Sequence, residues 1–353
     1  MGAFEDGPSW SGGRLERLAL LVIFLGLAAC RGRDAEPGSD CVARPPRPGE
    51  ERVCAVPGWP DRDVIVRVPS RAEGPRPIVL ALHGGGGRKE GLDKSTCRDG
   101  VRGDPSCLSS VAEARGVILA IPDGSAHGRG RSWNDAPPGG GWKCPPACEE
   151  GVDDVAYLAA VVELVAGTSA LDRGRIYATG LSNGGAMSHR LACEVDWIAG
   201  VAAVAGADRM ALSGRCEPRR AVPVLQIHGD ADPVWPYQGG ETKVRFLEGR
   251  YPAAPWAVTG GGGDVGWVAR DGCEGDGKIL PHPDREADAT RLVERRWTAC
   301  RDGAEVAFVT VEGGGHTWPG GDAYLPERIV GKVSREASAS VLVLDFLLRF
   351  ERR

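Results

Sequence analysis

Arg175-Ile-Tyr-Ala-Thr-Gly-Leu-Ser-Asn-Gly-Gly-Ala-Met187 is the stretch that decides the fold. Its first residues read as a short buried strand, and the run through Ala186, Leu191 and Ala192 has the apolar spacing of a helix face. Between them lies Gly180-Leu181-Ser182-Asn183-Gly184, a G-x-S-x-G pattern suited to a sharp strand-to-helix turn. Small flanking residues relieve crowding there while the serine hydroxyl is pushed out at the top of a sheet. Ser182 is therefore the candidate nucleophile. The pentapeptide alone says little in a chain with 52 glycines among 353 residues; the strand before it and the helix after it carry the reading.

On either side of this stretch the same alternation continues. Residues 63–68 alternate like an early strand, and 77–82 and 117–121 are continuous apolar runs of the kind buried on both faces of a sheet. Residues 153–165 read as a helix with Val155, Leu158, Val161, Val162 and Val165 on one side. Strands follow at 201–205, 222–227 and 305–311, and a closing helix at 337–350. Repeated alternation of strand and helix predicts an α/β fold, a mostly parallel sheet with helices on both faces. Residues 233–300 break the rhythm before the last strand. This insertion carries Trp235, Tyr237, Trp256, Trp267 and Trp297 with few clear elements, and two readings stand: a wall or lid over a site, or aromatics filling a satellite core. Gly260 to Gly263 reads as a flexible loop rather than a phosphate cradle, because no strand-to-helix context surrounds it.

A net charge of −5 and a pI near 5.8 give no electrostatic footprint for nucleic acid, so that class of partner is excluded. Arg14 and Arg17 precede an apolar run at 18–29, too short to span a membrane but right for the core of an export signal. The run ends in Leu27-Ala28-Ala29-Cys30, which resembles a bacterial lipobox; the resemblance implies cleavage before Cys30 and acylation of its thiol. Contact with a membrane is expected through that lipid anchor alone. The expected location is outside the cell, either on the envelope or released. Residues 31–60, rich in Pro, Arg and Gly, read as a tether leading to a catalytic domain over 61–353. Beyond Cys30, the cysteines form an even set of ten, which in an exported chain predicts five disulfides between sequence neighbours, above all Cys193 with Cys216 and Cys273 with Cys300. Cys144 and Cys148 have no second close pair to complete a zinc site, and no metal is expected.

A serine needs a neighbouring base, and there are six histidines. His189 sits roughly 10 Å down the helix leaving the turn, pointing away from the hydroxyl. His127 and His282 lie in loops without a recognisable setting, while His83 and His228 end strands and suit structural hydrogen bonding. His316 follows the last strand in Gly313-Gly-Gly-His-Thr-Trp-Pro-Gly-Gly321, where glycines let the backbone bend beneath an imidazole; it is the candidate general base. The carboxylate that would orient it is Asp230 or Asp232, at the end of the strand before the insertion, and spacing barely separates the two. Candidate oxyanion donors are the backbone N–H groups of Asn183 and of Gly85 in His83-Gly-Gly-Gly-Gly87.

Assembled, the chain resembles the secreted polyhydroxybutyrate depolymerase and feruloyl or acetylxylan esterase group of α/β-hydrolases, a group that includes LpqC-like and carbohydrate esterase family 1 proteins. The matching stretches are Leu82-His-Gly-Gly-Gly-Gly87, Val152-Asp-Asp-Val155, Gly180-Leu-Ser-Asn-Gly-Gly185, His228-Gly-Asp-Ala-Asp-Pro233 and Gly314-Gly-His-Thr-Trp-Pro-Gly320, in order across residues 62–350. The resemblance places the family's acid on Asp232, its histidine on His316 and its nucleophile on Ser182. It implies an α/β-hydrolase fold and a two-step acyl transfer with no cofactor. Trp133 and Trp318 are the expected pocket walls, suited to a feruloyl ring, a sugar or an apolar polyester chain. The expected substrate is a feruloyl or acetyl ester of a plant polysaccharide fragment, with poly(3-hydroxybutyrate) or its oligomers as the alternative. An acyltransferase and a non-catalytic surface binder are the remaining readings.

Overall fold

The computed structural model describes residues 39–71, 74–128, 130–139, 141–244 and 247–352. The expected export signal and Cys30 lie outside the described residues.

Buried residues on single strands alternate between two cores, and this builds the frame. In β3 (Arg76–Leu82), Ile78, Leu80 and Leu82 pack into one apolar cluster, whereas Val79 and Ala81 pack into a second on the opposite face. A strand lined by apolar side chains on both sides must be covered on both sides. The first face is covered by α3 (Asp154–Thr168), through Tyr157, Leu158, Val161 and Val165, and by α4 (Asn183–Glu194), through Met187 and Leu191. The second is covered by α1 (Lys89–Ser95), α2 (Leu108–Arg115) and α7 (Ala339–Leu347), with Leu92, Val111, Val343 and Leu344 inward.

The remaining strands of the main sheet are β1 (Glu51–Val56), β2 (Trp59–Arg67), β4 (Ile118–Pro122), β5 (Leu171–Leu181), β6 (Gly200–Val204), β7 (Val224–Gly229), β8 (Lys278–Pro281), β9 (Arg291–Trp297) and β10 (Val306–Glu312). They lie in the order β1-β2-β4-β3-β5-β6-β7-β10-β9-β8. The centre, from β4 through β10, is parallel, and the two margins are antiparallel. Register sets Gly180 of β5 opposite both Leu82 and Ala203, and Thr310 of β10 opposite His228 of β7. Strands that run parallel in this register bring the loops that follow β3, β5, β7 and β10 to one edge, where α/β sheets bind ligands.

Two boundaries differ from expectation. The tether expected over 31–60 is, from Ser39 on, part of the folded body. Ser39 N–H bonds the Val53 carbonyl at 2.9 Å, β1 pairs with β2, and a disulfide joins Cys41 to Cys54. Its apolar residues are sparse because β1 is an edge strand, which buries only Cys54 and Val56. The insertion after Asp232 is more ordered than its composition predicts. It contributes α5 (Ala254–Thr259), α6 (Gly266–Arg270), and β8 and β9, which extend the sheet beyond β10. Trp235, Trp267 and Trp297 are buried and their indole N–H groups bond Pro252 O, His189 Nδ1 and Gly275 O, so these three belong to packing rather than to an open wall.

The ten described cysteines pair as sequence neighbours: Cys41–Cys54, Cys97–Cys107, Cys144–Cys148, Cys193–Cys216 and Cys273–Cys300. Among the described residues, the cluster that comes nearest to a metal-ligating arrangement is Cys193, Asp208 and Cys216, whose two sulfurs are already bonded to each other.

Candidate active site

At the end of β5 the chain reverses into α4 at Ser182, which adopts φ +57° and ψ −119°. A non-glycine residue is held there only when its surroundings over-determine it. The surroundings are backbone: Ser182 N–H bonds the Val204 carbonyl at 2.8 Å, and Ser182 O accepts from Ala186 N at 3.0 Å to start the helix. A Cβ on Gly184 would lie 2.2 Å from Leu82 O, and one on Gly206 would lie 2.0 Å from Ser182 O, so only glycine fits against the turn on either side. Ser182 remains half-buried and reachable from outside.

The glycine loop after β3 lies against this turn. A Cβ on Gly84 would stand 3.4 Å from Ser182 Cβ, and one on Gly85 would stand 3.7 Å from Asn183 Cβ. His83 shapes the loop: its Nε2 accepts from Gly124 N at 2.9 Å, leaving Nδ1–H to donate to Gly84 O at 2.8 Å. Burial lowers the His83 imidazole to about 4, so it stays neutral and keeps that tautomer at neutral pH. Among the described residues neither the Gly85 N–H nor the Asn183 N–H donates to a protein acceptor. Two unspent donors beside one serine are what a developing oxyanion requires.

His316 and Asp232 are hydrogen-bonded to each other. The two candidate acids differ in setting: Asp232 is 1% exposed and its Oδ2 accepts from His316 Nδ1 at 2.7 Å, whereas Asp230 is exposed and accepts from Gly313 N. Asp232 Oδ1 accepts from the Val234 and Trp235 N–H groups, both at 2.8 Å. Burial alone would raise this carboxyl, but the His316 charge and hydrogen bonds from His228 and His316 hold it down at about 2. It is therefore ionised across any working pH. His316 is fixed from below as well, its N–H bonding Val330 O at 2.5 Å. Ser182 Oγ and His316 share no hydrogen bond among the described residues.

The two expected pocket tryptophans stand elsewhere. Trp133 is completely buried, its indole N–H on His83 O at 2.9 Å, and its backbone is clamped by the Asn183 side chain at 2.8 and 3.0 Å. Trp318 is buried in the second core with its N–H on Ser340 Oγ. Both indoles hold the loops that hold the site and present no face to a ligand. The residue after Asn134, Asp135, forms a buried ion pair with Arg209, and beside it opens a cavity of about 220 Å³ lined by Pro137, Trp142, Arg209 and Arg215 among others. Trp142 is half-buried there, edge-on to Trp256 at 6.2 Å. Gly206, against Ser182, and His228, against Asp232, are the site-bearing residues that sequence reading did not single out as such.

No family model matches the chain. It is 32% identical to the "Putative esterase NocK" of Nocardia uniformis subsp. tsuyamanensis over 359 aligned positions, covering 93% of this chain and 96% of that one. The chain belongs with NocK to one esterase family, on the α/β-hydrolase fold. This esterase is also 27% identical to feruloyl esterase B of Piromyces equi across 72% of its own length, a match that spans 42% of the relative. Among solved structures it is similar to the acetyl xylan esterase from Aspergillus awamori, at 16% identity and a TM-score of 0.46, covering 73% of this chain and 89% of that one. The esterase is a carboxylic ester hydrolase, acting on ester substrates, as its relatives are.

Proposed function

We propose that this esterase works through a Ser182-Asp232-His316 triad, and that its substrates are feruloyl or acetyl esters of plant polysaccharide fragments. The observation that carries the mechanism is the 2.7 Å bond from His316 Nδ1 to an Asp232 carboxylate kept ionised, at the sheet edge where Ser182 is pushed out on a strained turn. With Nδ1–H committed to Asp232, the lone pair of Nε2 is left to take the Ser182 proton. Ser182 Oγ then attacks the ester carbonyl. The oxyanion forms against the N–H groups of Asn183 and Gly85, and His316 returns the proton to the departing alcohol. Water repeats the sequence on the acyl-enzyme, with His316 again base and then acid, and frees the carboxylic acid.

The substrate class is supported by what the relatives are named for, feruloyl esterase B and the bifunctional acetylxylan esterase/xylanase XynS20E of Neocallimastix patriciarum. The cavity beside Asp135 and Arg209 offers an aromatic edge at Trp142 and an exposed cation at Arg215, features suited to a sugar or phenolic group. Five disulfides fit a chain exported to an oxidising compartment, and the lipid anchor at Cys30 is proposed with that export.

Parallel incubation with feruloylated xylan fragments, acetylated xylan and 3-hydroxybutyrate oligomers, followed by mass spectrometry of products, tests the substrate class. Release of ferulate or acetate, absent in Ser182→Ala, is expected. Release of 3-hydroxybutyrate with neither of the other acids would overturn it.

A further inference from the structure

The carboxylate of Asp232 is approached by a second imidazole. His228, in β7, is buried; its Nε2 lies 2.9 Å from Trp235 O and 3.2 Å from Asp232 Oδ2, the oxygen that binds His316. Both neighbours of that nitrogen are acceptors, so it must carry a proton. On its other side, His228 Nδ1 faces Gln226 Nε2 at 3.4 Å. Gln226 Oε1 lies 2.8 Å from His189 Nε2, and His189 Nδ1 is 3.0 Å from the indole Nε1 of Trp267.

An indole can only donate, and this sets the direction of the whole chain. Trp267 N–H fills the lone pair of His189 Nδ1, so the His189 proton sits on Nε2 and points at Gln226 Oε1. The amide is thereby oriented with its NH₂ toward His228 Nδ1, and the His228 proton is left on Nε2, facing Asp232. Argued from either end, the tautomers agree. All four side chains are buried, between α6, α4 and β7. A buried amide and two buried imidazoles are costly unless every polar atom is paired, and here each is paired along one line.

We propose that His228 is a positioning residue for ester hydrolysis: it holds the Asp232 carboxylate toward His316, in a tautomer dictated from the inserted segment by Trp267 through His189 and Gln226. The proposal rests on the triad reading above. Titratable groups facing the chain are Asp208 beside His189, Tyr237 edge-on to His228, and Tyr251 and Tyr324 around Asp232. Removing the His228 N–H concentrates the negative charge of Asp232 on His316 and so favours the imidazolium.

The test uses the full chain and p-nitrophenyl acetate, with His228→Leu, His228→Gln, Trp267→Phe and Ser182→Ala, each checked for folding by thermal melting. His228→Leu is expected to lower kcat about tenfold, the scale of one hydrogen bond to a charged group, and to move the acid limb of kcat/KM to higher pH with KM little changed. His228→Gln, whose amide N–H can reach the place of the imidazole Nε2–H, should recover most of the loss. Trp267→Phe should move the limb the same way by less. Wild-type kcat and acid limb in folded His228→Leu would overturn the proposal, and so would equal losses in His228→Leu and His228→Gln with an unmoved limb. If His228→Leu does not fold, an unmoved limb in Trp267→Phe overturns it. Activity retained by Ser182→Ala would instead sink the triad reading; activity lost there while His228→Leu stays wild-type sinks the positioning role alone.

Discussion

Asp232→Asn is expected to lower kcat/KM by about 10⁴ while leaving the protein folded, and the hydrogen bonds around the carboxylate say why. Oδ1 already accepts two backbone N–H groups, from Val234 and Trp235. An asparagine at 232 would keep its carbonyl oxygen there, because turning it away would set an NH₂ against two N–H donors. The amide NH₂ is then forced toward His316 Nδ1, which must accept. The His316 proton moves to Nε2 and faces Ser182, so the imidazole can no longer take the serine proton. Asp230→Asn is the matched control: Asp230 is exposed and binds only Gly313 N among the described residues, so a change of at most a few-fold is expected. Steady-state kinetics of the two variants on one activated ester make the comparison, and a similar loss in both would contradict the assignment of the acid.

Gly206→Ala should have the second largest effect, although residue 206 touches no reacting atom. Its new Cβ would sit 2.0 Å from Ser182 O and 2.9 Å from Ala186 N, the two atoms that close the first turn of α4. These are backbone atoms and cannot swing aside, so the elbow must shift or the loop after β6 must back away. Overpacking of this kind costs about 1–3 kcal/mol. A displacement near 1 Å of a reacting group costs about 100-fold in rate. Thermal melting and kcat/KM together should show a lowered Tm and a loss of at least that order. A variant with unchanged melting and turnover would mean that the tight contact at Ser182 O does not set the position of the nucleophile.

Much of this architecture can be read from the chain because period and position coincide in it. The apolar runs of β3, β4, β6 and β7 are buried on both faces and so read as strands without ambiguity, and Ser182, Asp232 and His316 stand just past β5, β7 and β10 of the parallel centre. The edges are harder. β9 is Arg-Leu-Val-Glu-Arg-Arg-Trp, whose buried positions are Leu292, Glu294 and Trp297; a strand near the margin, between β10 and the short edge strand β8 and crowded with arginines, lacks the apolar signal of a central one. β1 is hidden for the same reason, and its place is secured partly by a disulfide. Trp133 and Trp318 stand beside site motifs, but a tryptophan reads the same in sequence whether its ring faces a ligand or a core. What decides it is the acceptor of the indole N–H, here His83 O and Ser340 Oγ, both distant in sequence. The His228 chain left a weak trace: Gln226 and His228, two apart in a strand, share one face, and polar residues on a face that should be buried need partners. Those partners, His189 and Trp267, come from a helix and an insertion that only the folded chain brings near.

The most direct test of the central claim is to treat the full chain with a fluorophosphonate, digest it and locate the adduct by mass spectrometry, alongside Ser182→Ala. A serine activated by His316 should take one label, on the peptide containing Ser182, with hydrolysis lost in proportion, and Ser182→Ala should take none. A label on another residue, or ester hydrolysis surviving in Ser182→Ala, would contradict the account.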